Sequence, residues 1–270
     1  MHDLQEKAAQ AFSLLDLTSL TDTETAADIE ALAENARLFL DNGERLQVAA
    51  LCVFPRFIPM ARQYLDARDL YSVRIATVAN FPHGGDNIDI AVAETRACVA
   101  YGADEVDVVF PYQAFLEGDE TVARLLIKAC KRECGTQAQL KVILETGILQ
   151  TPEHIHRASQ LAIEAGADFI KTSTGKVDVN ATPEAAQHML AAIAANDAQH
   201  IREHPVQAIG FKPAGGIRTL DDALVYMQAV ADHLGPDAVH PSRFRIGASS
   251  VRAHLVHVLT GQAADTQGGY

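Results

Sequence analysis

Residues 164–176 read EAGADFIKTSTGK, and their grammar sets the fold. A helix-forming end meets Gly166, a short apolar run follows over 168–173, and small hydroxylated residues and a glycine come next. Glycine at a helix C-terminus can take the left-handed conformation that stops the helix. The same joint recurs at 100–109, AYGADEVDVV, with Gly-Ala-Asp again between a helix end and a strand. Extended along the chain, this alternation gives candidate strands at 13–18, 47–53, 73–78, 104–110, 139–145, 168–173, 206–212 and 243–249. Helix-like segments rich in Ala, Leu and charge follow them, as at 88–101, 152–165, 182–195 and 219–232. Repeated β-then-α order implies parallel strands joined by right-handed crossovers. A count of eight favours a closed (β/α)8 TIM barrel, an α/β fold, over an open doubly wound sheet. No linker or composition break interrupts it, so residues 1–262 read as one barrel domain and 263–270 as a flexible C-terminal tail.

Composition narrows the function classes. The 270 residues suit one large domain, and 48% hydrophobic content can fill a sizeable core. A net charge of −13 argues against a nucleic-acid or anionic-membrane partner, which would need a basic surface. An anionic ligand would therefore need a local positive pocket. No apolar run approaches a membrane span, and the N-terminus lacks the pattern of a signal peptide. Cys130 and Cys134 are spaced for neither a redox CxxC nor a zinc ribbon, and Cys98 and Cys130 read as small buried apolar residues. A reduced, cytoplasmic protein is the expectation.

Strand alternation then puts charge on the wrong face. In DFIKTS, Ile170 and Thr172 share one face, while Phe169, Lys171 and Ser173 share the other. In DEVDVVF, Val106 and Val108 are opposed by Glu105 and Asp107. The apolar face must lie under the helices, so Asp16, Asp107, Lys141, Glu145, Lys171 and Lys212 are expected inside the barrel. Such interiors are normally filled by branched apolar residues, and an unpaired buried charge costs several kcal/mol. Lys141 with Glu145 reads as a structural ion pair. The convergence of the rest marks a site with perturbed ionisation.

A lysine attacks a carbonyl only as the free amine, which at its ordinary pKa is well under about 1% of the population at neutral pH. Burial and a neighbouring cation both raise that fraction. Lys171 and Lys212 lie on one face near the ends of adjacent strands, so either could be the nucleophile and the other its cation. Asp16 and Asp107 could pass protons. Schiff-base chemistry of this kind requires no metal and no cofactor. The loops TSTGK (172–176), PAGGIR (213–218) and GASS (247–250) follow strands six, seven and eight, where barrels of this class often hold phosphate.

The segments FPHGGDNIDIAVAETRACVAYGADEVDVVFPY, GADFIKTSTGK, GFKPAGGIR and GASS together resemble the deoxyribose-phosphate aldolases, a family of class I aldolases. The likeness runs from LLDLTSL to the terminal tyrosine. It implies reversible cleavage of 2-deoxy-D-ribose 5-phosphate to D-glyceraldehyde 3-phosphate and acetaldehyde. It makes Lys171 the Schiff-base lysine, Lys212 the second lysine, and Asp107 the proton-relay carboxylate with Asp16 as companion. It places Gly175, Lys176, Gly215, Gly216, Gly247, Ser249 and Ser250 at the phosphate. Tyr270 reads either as a frayed end or, by the resemblance, as a group that folds over the cavity to assist proton transfer. Partners are then small-molecule phosphosugar and aldehyde substrates, with a homodimer as candidate assembly and neither nucleic acid nor membrane. The competing readings are another phosphosugar barrel enzyme, of transaldolase or isomerase type, and a non-catalytic phosphosugar-binding module.

Three weaker patterns carry less. HIREH (200–204) fits a zinc-peptidase motif, but Pro205 follows at once and a connection is the reading kept. The histidines of HIH (154–156) and HLVH (254–257) read as surface or boundary residues. Cys52 reads as packed, with a place in the pocket wall as the alternative.

Overall fold

A computed structural model describes residues 2–200 and 208–261. Tyr270, most of HIREH and the 263–270 tail lie outside the described residues. Eight strands form one sheet: β1 (Leu15–Ser19), β2 (Ala50–Val53), β3 (Arg74–Ala79), β4 (Glu105–Val109), β5 (Gln139–Ile143), β6 (Phe169–Lys171), β7 (Gly210–Lys212) and β8 (Ile246–Gly247). From β1 to β7 each strand pairs in parallel with its sequence neighbours, β1 also pairs with β8, Leu15 opposite Ile246, and β7 meets β8 through single parallel bridges at Phe211–Phe244 and Ala214–Gly247. Backbone bonds close the last seam. Phe211 N–H donates to Arg243 O at 2.8 Å, Arg245 N–H to Phe211 O at 3.1 Å and Gly247 N–H to Pro213 O at 2.9 Å. The result is a closed barrel, and every strand read from the sequence is present.

The Gly-Ala-Asp joints explain their own recurrence. Gly102 and Gly166 take φ of 95° and 104°, which ends each helix. The following aspartate then reaches across to the preceding strand. Asp104 accepts from Ile75 N–H and Asp168 from Leu140 N–H, both at 2.7 Å, and Asp168 also binds Lys131 at 2.6 Å. This motif sets strand register and takes no part in the site.

Two local departures matter. The 47–53 run splits, because Gln47 pairs with Arg37 in an antiparallel hairpin turned near Gly43 (φ 84°), and β2 begins only at Ala50. β5 ends at Ile143, since Glu145 adopts a left-handed φ of 59° that no strand continues through.

Loops leave the C-terminal ends of the strands for capped helix starts. Thr151 accepts from His154 N–H at the head of Pro152–Glu164, and Thr219 and Asp222 form a reciprocal box at Leu220–Leu234. His254, in the boundary segment HLVH, accepts from Leu220 N–H at 3.1 Å. No described helix is long and apolar enough to cross a membrane. The barrel interior is divided. Leu20, Ala50, Cys52, Ala76 and Val78 form a small apolar cluster toward β2 and β3. The opposite side carries charge.

Candidate active site

β1 and β4 to β7 each direct an ionisable side chain into one buried cluster, and Arg245, just before β8, joins them. Asp107 on β4 is its hub. Its Oδ2 accepts from Lys171 at 2.9 Å and Lys212 at 2.8 Å, and its Oδ1 from Lys141 at 3.1 Å. Register produces this arrangement, since Asp107 sits opposite Lys141 and Lys171 opposite Lys212 on neighbouring parallel strands. Asp16 on β1 has Oδ2 2.5 Å from Lys212 Nζ and 3.5 Å from Lys141 Nζ. The short contact lacks hydrogen-bond geometry, so Asp16 Oδ2 accepts no hydrogen bond from any described residue.

Glu105 and Arg245 complete the cluster and are missing from the set read off the sequence. Arg245 Nη1 donates to Asp16 Oδ1 at 2.7 Å, and its Nη2 donates to Glu105 Oε1 at 2.6 Å. Lys141 also bonds Glu105. Glu105 had a signal, because alternation puts it on the face of Asp107. Arg245 had the same signal, since it stands between Phe244 and Ile246.

Beneath the lysines lies the ring of Phe169, with Lys141 Nζ 5.8 Å and the Arg245 guanidinium 5.7 Å from its centroid. Gly210 makes room for it, since a Cβ there would stand 2.2 Å from the ring.

The electrostatics follow from burial opposed by pairing. Burial alone would raise the Asp107 carboxyl, but Lys141, Lys171 and Lys212 outweigh it and hold it well below the usual carboxylate range. Asp16 is lowered against the same burial by Lys212, Lys141 and Arg245, and Glu105 by Lys141 and Arg245. Burial pulls Lys212 down, but Asp107 and Asp16 prevail and the net shift is upward. Lys212 is thus a held cation, and Lys141, raised by three carboxylates against its burial, is another.

The lysines differ in access and in partners. Lys141 and Lys212 are fully buried, whereas Lys171 keeps 3% exposure. Lys141 meets three carboxylates, Lys212 two and Lys171 one.

The expected Lys141–Glu145 pair is not formed. Residues four apart on a strand share a face but stand about 13 Å apart along it, whereas the neighbouring strand is about 4.8 Å away. Lys141 therefore pairs across to β4. Glu145, turned out of the strand, accepts from Thr174 Oγ1 at 2.5 Å and Thr174 N–H at 3.2 Å. Burial pushes its carboxyl upward, against the pull of Thr174 and Lys171. It clamps the TSTGK loop.

The glycine-rich loops gather over β1. Lys176 Nζ donates to Leu20 O at 2.5 Å, just past the strand. Ser249 Oγ accepts from Thr18 N–H at 2.9 Å and donates to Thr18 O at 2.5 Å, and Ser250 Oγ donates to Ile217 O at 3.1 Å. Gly175 lies in the first loop, one residue beyond Thr174. Gly215 and Gly216 both have positive φ (80° and 82°), and Gly215 N–H donates to Gly247 O at 3.2 Å. These loops and the start of helix Ser250–Thr260 present small residues, one ammonium and a helix N-terminus, a combination suited to an anion. Cys52 packs fully buried in the apolar cluster, its thiol pushed up by burial.

Comparison with known proteins fits this geometry. Residues 10–257 match the DeoC/LacD family aldolase profile, and the chain belongs to that family of aldolases. Among solved structures, a candidate deoxyribose-phosphate aldolase from Toxoplasma gondii is 25% identical, with 94% of this chain and 93% of that one covered at a TM-score of 0.82. A candidate deoxyribose-phosphate aldolase from Coccidioides immitis is 29% identical over 90% of this chain and 83% of that one, at a TM-score of 0.72. A tetrameric deoxyribose phosphate aldolase from Aeropyrum pernix shares the fold at 23% identity, with 95% and 97% of the two chains covered and a TM-score of 0.68.

Proposed function

We propose that this aldolase reversibly cleaves 2-deoxy-D-ribose 5-phosphate to D-glyceraldehyde 3-phosphate and acetaldehyde through a Schiff base on Lys171. The observation that carries the reading is the inequality among the lysines. Lys171 alone of the three reaches toward solvent, and its one carboxylate contact is shared with two other lysines. Its neutral form therefore leaves fewest carboxylates unpartnered.

The Lys171 amine adds to C1 of the open-chain sugar, and the carbinolamine loses water to give an iminium ion. Removal of the C3 hydroxyl proton breaks the C2–C3 bond, releasing glyceraldehyde 3-phosphate and leaving an enamine. Protonation at C2 and hydrolysis return acetaldehyde and the free amine. Asp107 bridges the lysines, and Asp16 Oδ2, the buried acceptor with no hydrogen-bond donor, suits a water or hydroxyl proton. Lys212 keeps its proton and serves as the fixed cation beside Lys171. Gly175, Lys176, Gly215, Gly216, Gly247, Ser249 and Ser250 hold the phosphate.

The test is borohydride reduction with acetaldehyde, followed by peptide mass mapping. An adduct on Lys171 is expected; one confined to Lys212, or none, overturns the assignment. The four buried, unpaired cysteines support a reducing, cytoplasmic setting. A homodimer is the assembly proposed, and sedimentation velocity would separate it from a tetramer.

A further inference from the structure

The buried part of the ion-pair network holds Lys141, Lys171, Lys212 and Arg245 against Asp16, Glu105 and Asp107, four cations to three carboxylates. Three of the cations are lysines, each able to surrender a proton. Arg245 cannot, because guanidinium keeps its charge at any ordinary pH. It is only 2% exposed and lies among the strand starts, beside Ala49, Arg74 and Gln139, at the mouth opposite the loops. Its side chain is fully engaged, with Nε on Pro241 O and both terminal nitrogens on carboxylates.

We propose that Arg245 is a positioning residue for the aldol reaction: a fixed charge at the closed end of the barrel that makes the network one cation too many, so that a lysine at the open end is free to act as an amine. This rests on the reading of Lys171 as the nucleophile. Arg245 also fixes Asp16, taking Oδ1 so that Oδ2 faces Lys212. Other groups around the network leave the sign of the effect intact. Arg74 on β3 lies 3.8 Å from Glu105 but is half exposed, so solvent weakens its influence. Cys52 on β2 is a thiol that burial keeps neutral. Glu145, beyond β5, is held by Thr174 and feels the charge of Lys171, but burial pushes its carboxyl toward the neutral form and so weakens its weight in the balance.

Without Arg245 three lysines would balance three carboxylates, and every amine would be better retained as ammonium. Without Glu105 the surplus would grow, and an amine would be released more readily. The two changes therefore push in opposite directions, which a loss of packing alone would not do.

The experiment follows the rate of borohydride-trapped acetaldehyde adduct at Lys171 as a function of pH, by peptide mass mapping. For a unit charge about 10 Å away in a medium of effective dielectric about 20, Arg245→Gln should move the half-maximal pH up by roughly one unit, about a tenfold loss of rate at a fixed lower pH. Arg245→Lys should recover most of that shift, and Glu105→Gln should move the profile down. The double variant Arg245→Gln with Glu105→Gln restores the surplus of one and should return near the wild-type profile. If Arg245→Gln does not fold, the opposed shift of Glu105→Gln and its cancellation in the double variant decide the matter. Profiles that all coincide with wild type, while the adduct remains on Lys171, overturn the role of Arg245 alone. Absence of a Lys171 adduct in the wild-type protein removes the Schiff-base reading and this proposal with it.

Discussion

Gly247→Ala tests whether the GASS loop and the lysine cluster share one steric joint. A Cβ at 247 would stand 2.9 Å from Ala214 Cβ and 3.0 Å from Lys212 Cε. Carbon atoms settle at about 3.5–4.0 Å, so something must shift by roughly 0.5–1 Å. Ala214 is poorly placed to yield, because its N–H donates to Thr172 Oγ1 at 2.9 Å and its carbonyl accepts from Ser173 Oγ at 2.7 Å. Lys212 is held by Asp16 and Asp107 at 2.5 and 2.8 Å. Overpacking of this kind costs about 1–3 kcal/mol, and a displacement near 1 Å of a reacting group lowers turnover by up to about 100-fold. Steady-state cleavage of deoxyribose 5-phosphate and urea denaturation read the two effects separately. The double change Gly247→Ala with Ala214→Gly should recover part of the stability but little of kcat, because the Lys212 contact remains. Wild-type kcat and stability in Gly247→Ala would refute the joint.

Other consequences can be measured directly. Lys141→Met removes the buried ammonium that touches Asp16, Glu105 and Asp107 together and should cost about 3–5 kcal/mol in urea denaturation; a loss below about 1 kcal/mol would contradict that pairing. Lys176→Ala should raise KM for the phosphorylated sugar by about tenfold or more while kcat changes little, since its ammonium reaches the loop cluster and not the lysines; an equal fall in kcat would place it in the chemistry. Asp16, Glu105 and Asp107 have lowered folded-state pKa values, so their stabilisation is complete above the unfolded values near 4 and is lost as pH falls through the folded ones. Urea titrations below pH 4 should show these three adding up to about 4 kcal/mol per pH unit, and Asp107→Asn should lower that slope by about a third of this amount.

Much of the barrel was legible because parallel strands and their joints obey local rules. Alternation located all eight strands, and Gly102 and Gly166 marked where helices had to stop. Strand ends were less legible, because a single left-handed residue decides them. Glu145 is such a residue, and a glutamate carries no sign in its sequence context that φ will be positive. The hairpin around Gly43 escaped for the converse reason: Gln47 belongs to an apolar run whose alternation continues across the break between hairpin and β2.

The site divides along the same line. Which residues face inward is a property of one strand, so Asp16, Asp107, Lys141, Lys171 and Lys212 could be read singly. Which of them pair is a property of register between strands, and Lys141 was assigned to Glu145 on its own strand when its partners lie on β1 and β4. The ground for proposing Lys171 over Lys212 was hidden more deeply, because it is how many carboxylates each meets once the barrel closes. Asp16 and Arg245 stand 229 positions apart, and their contact exists only because β1 pairs with β8. A network of buried charges seldom stabilises a fold better than apolar packing of the same volume would. Here half of the interior, at Ala50, Cys52, Ala76 and Val78, takes that apolar solution. The other half departs from it, on β1 and β4 to β7, with Arg245 just before β8. That concentration of paired charge on one side of the barrel is what the proposal builds on: one cation beyond balance, with Arg245 at one end of the cluster and Lys171 at the other.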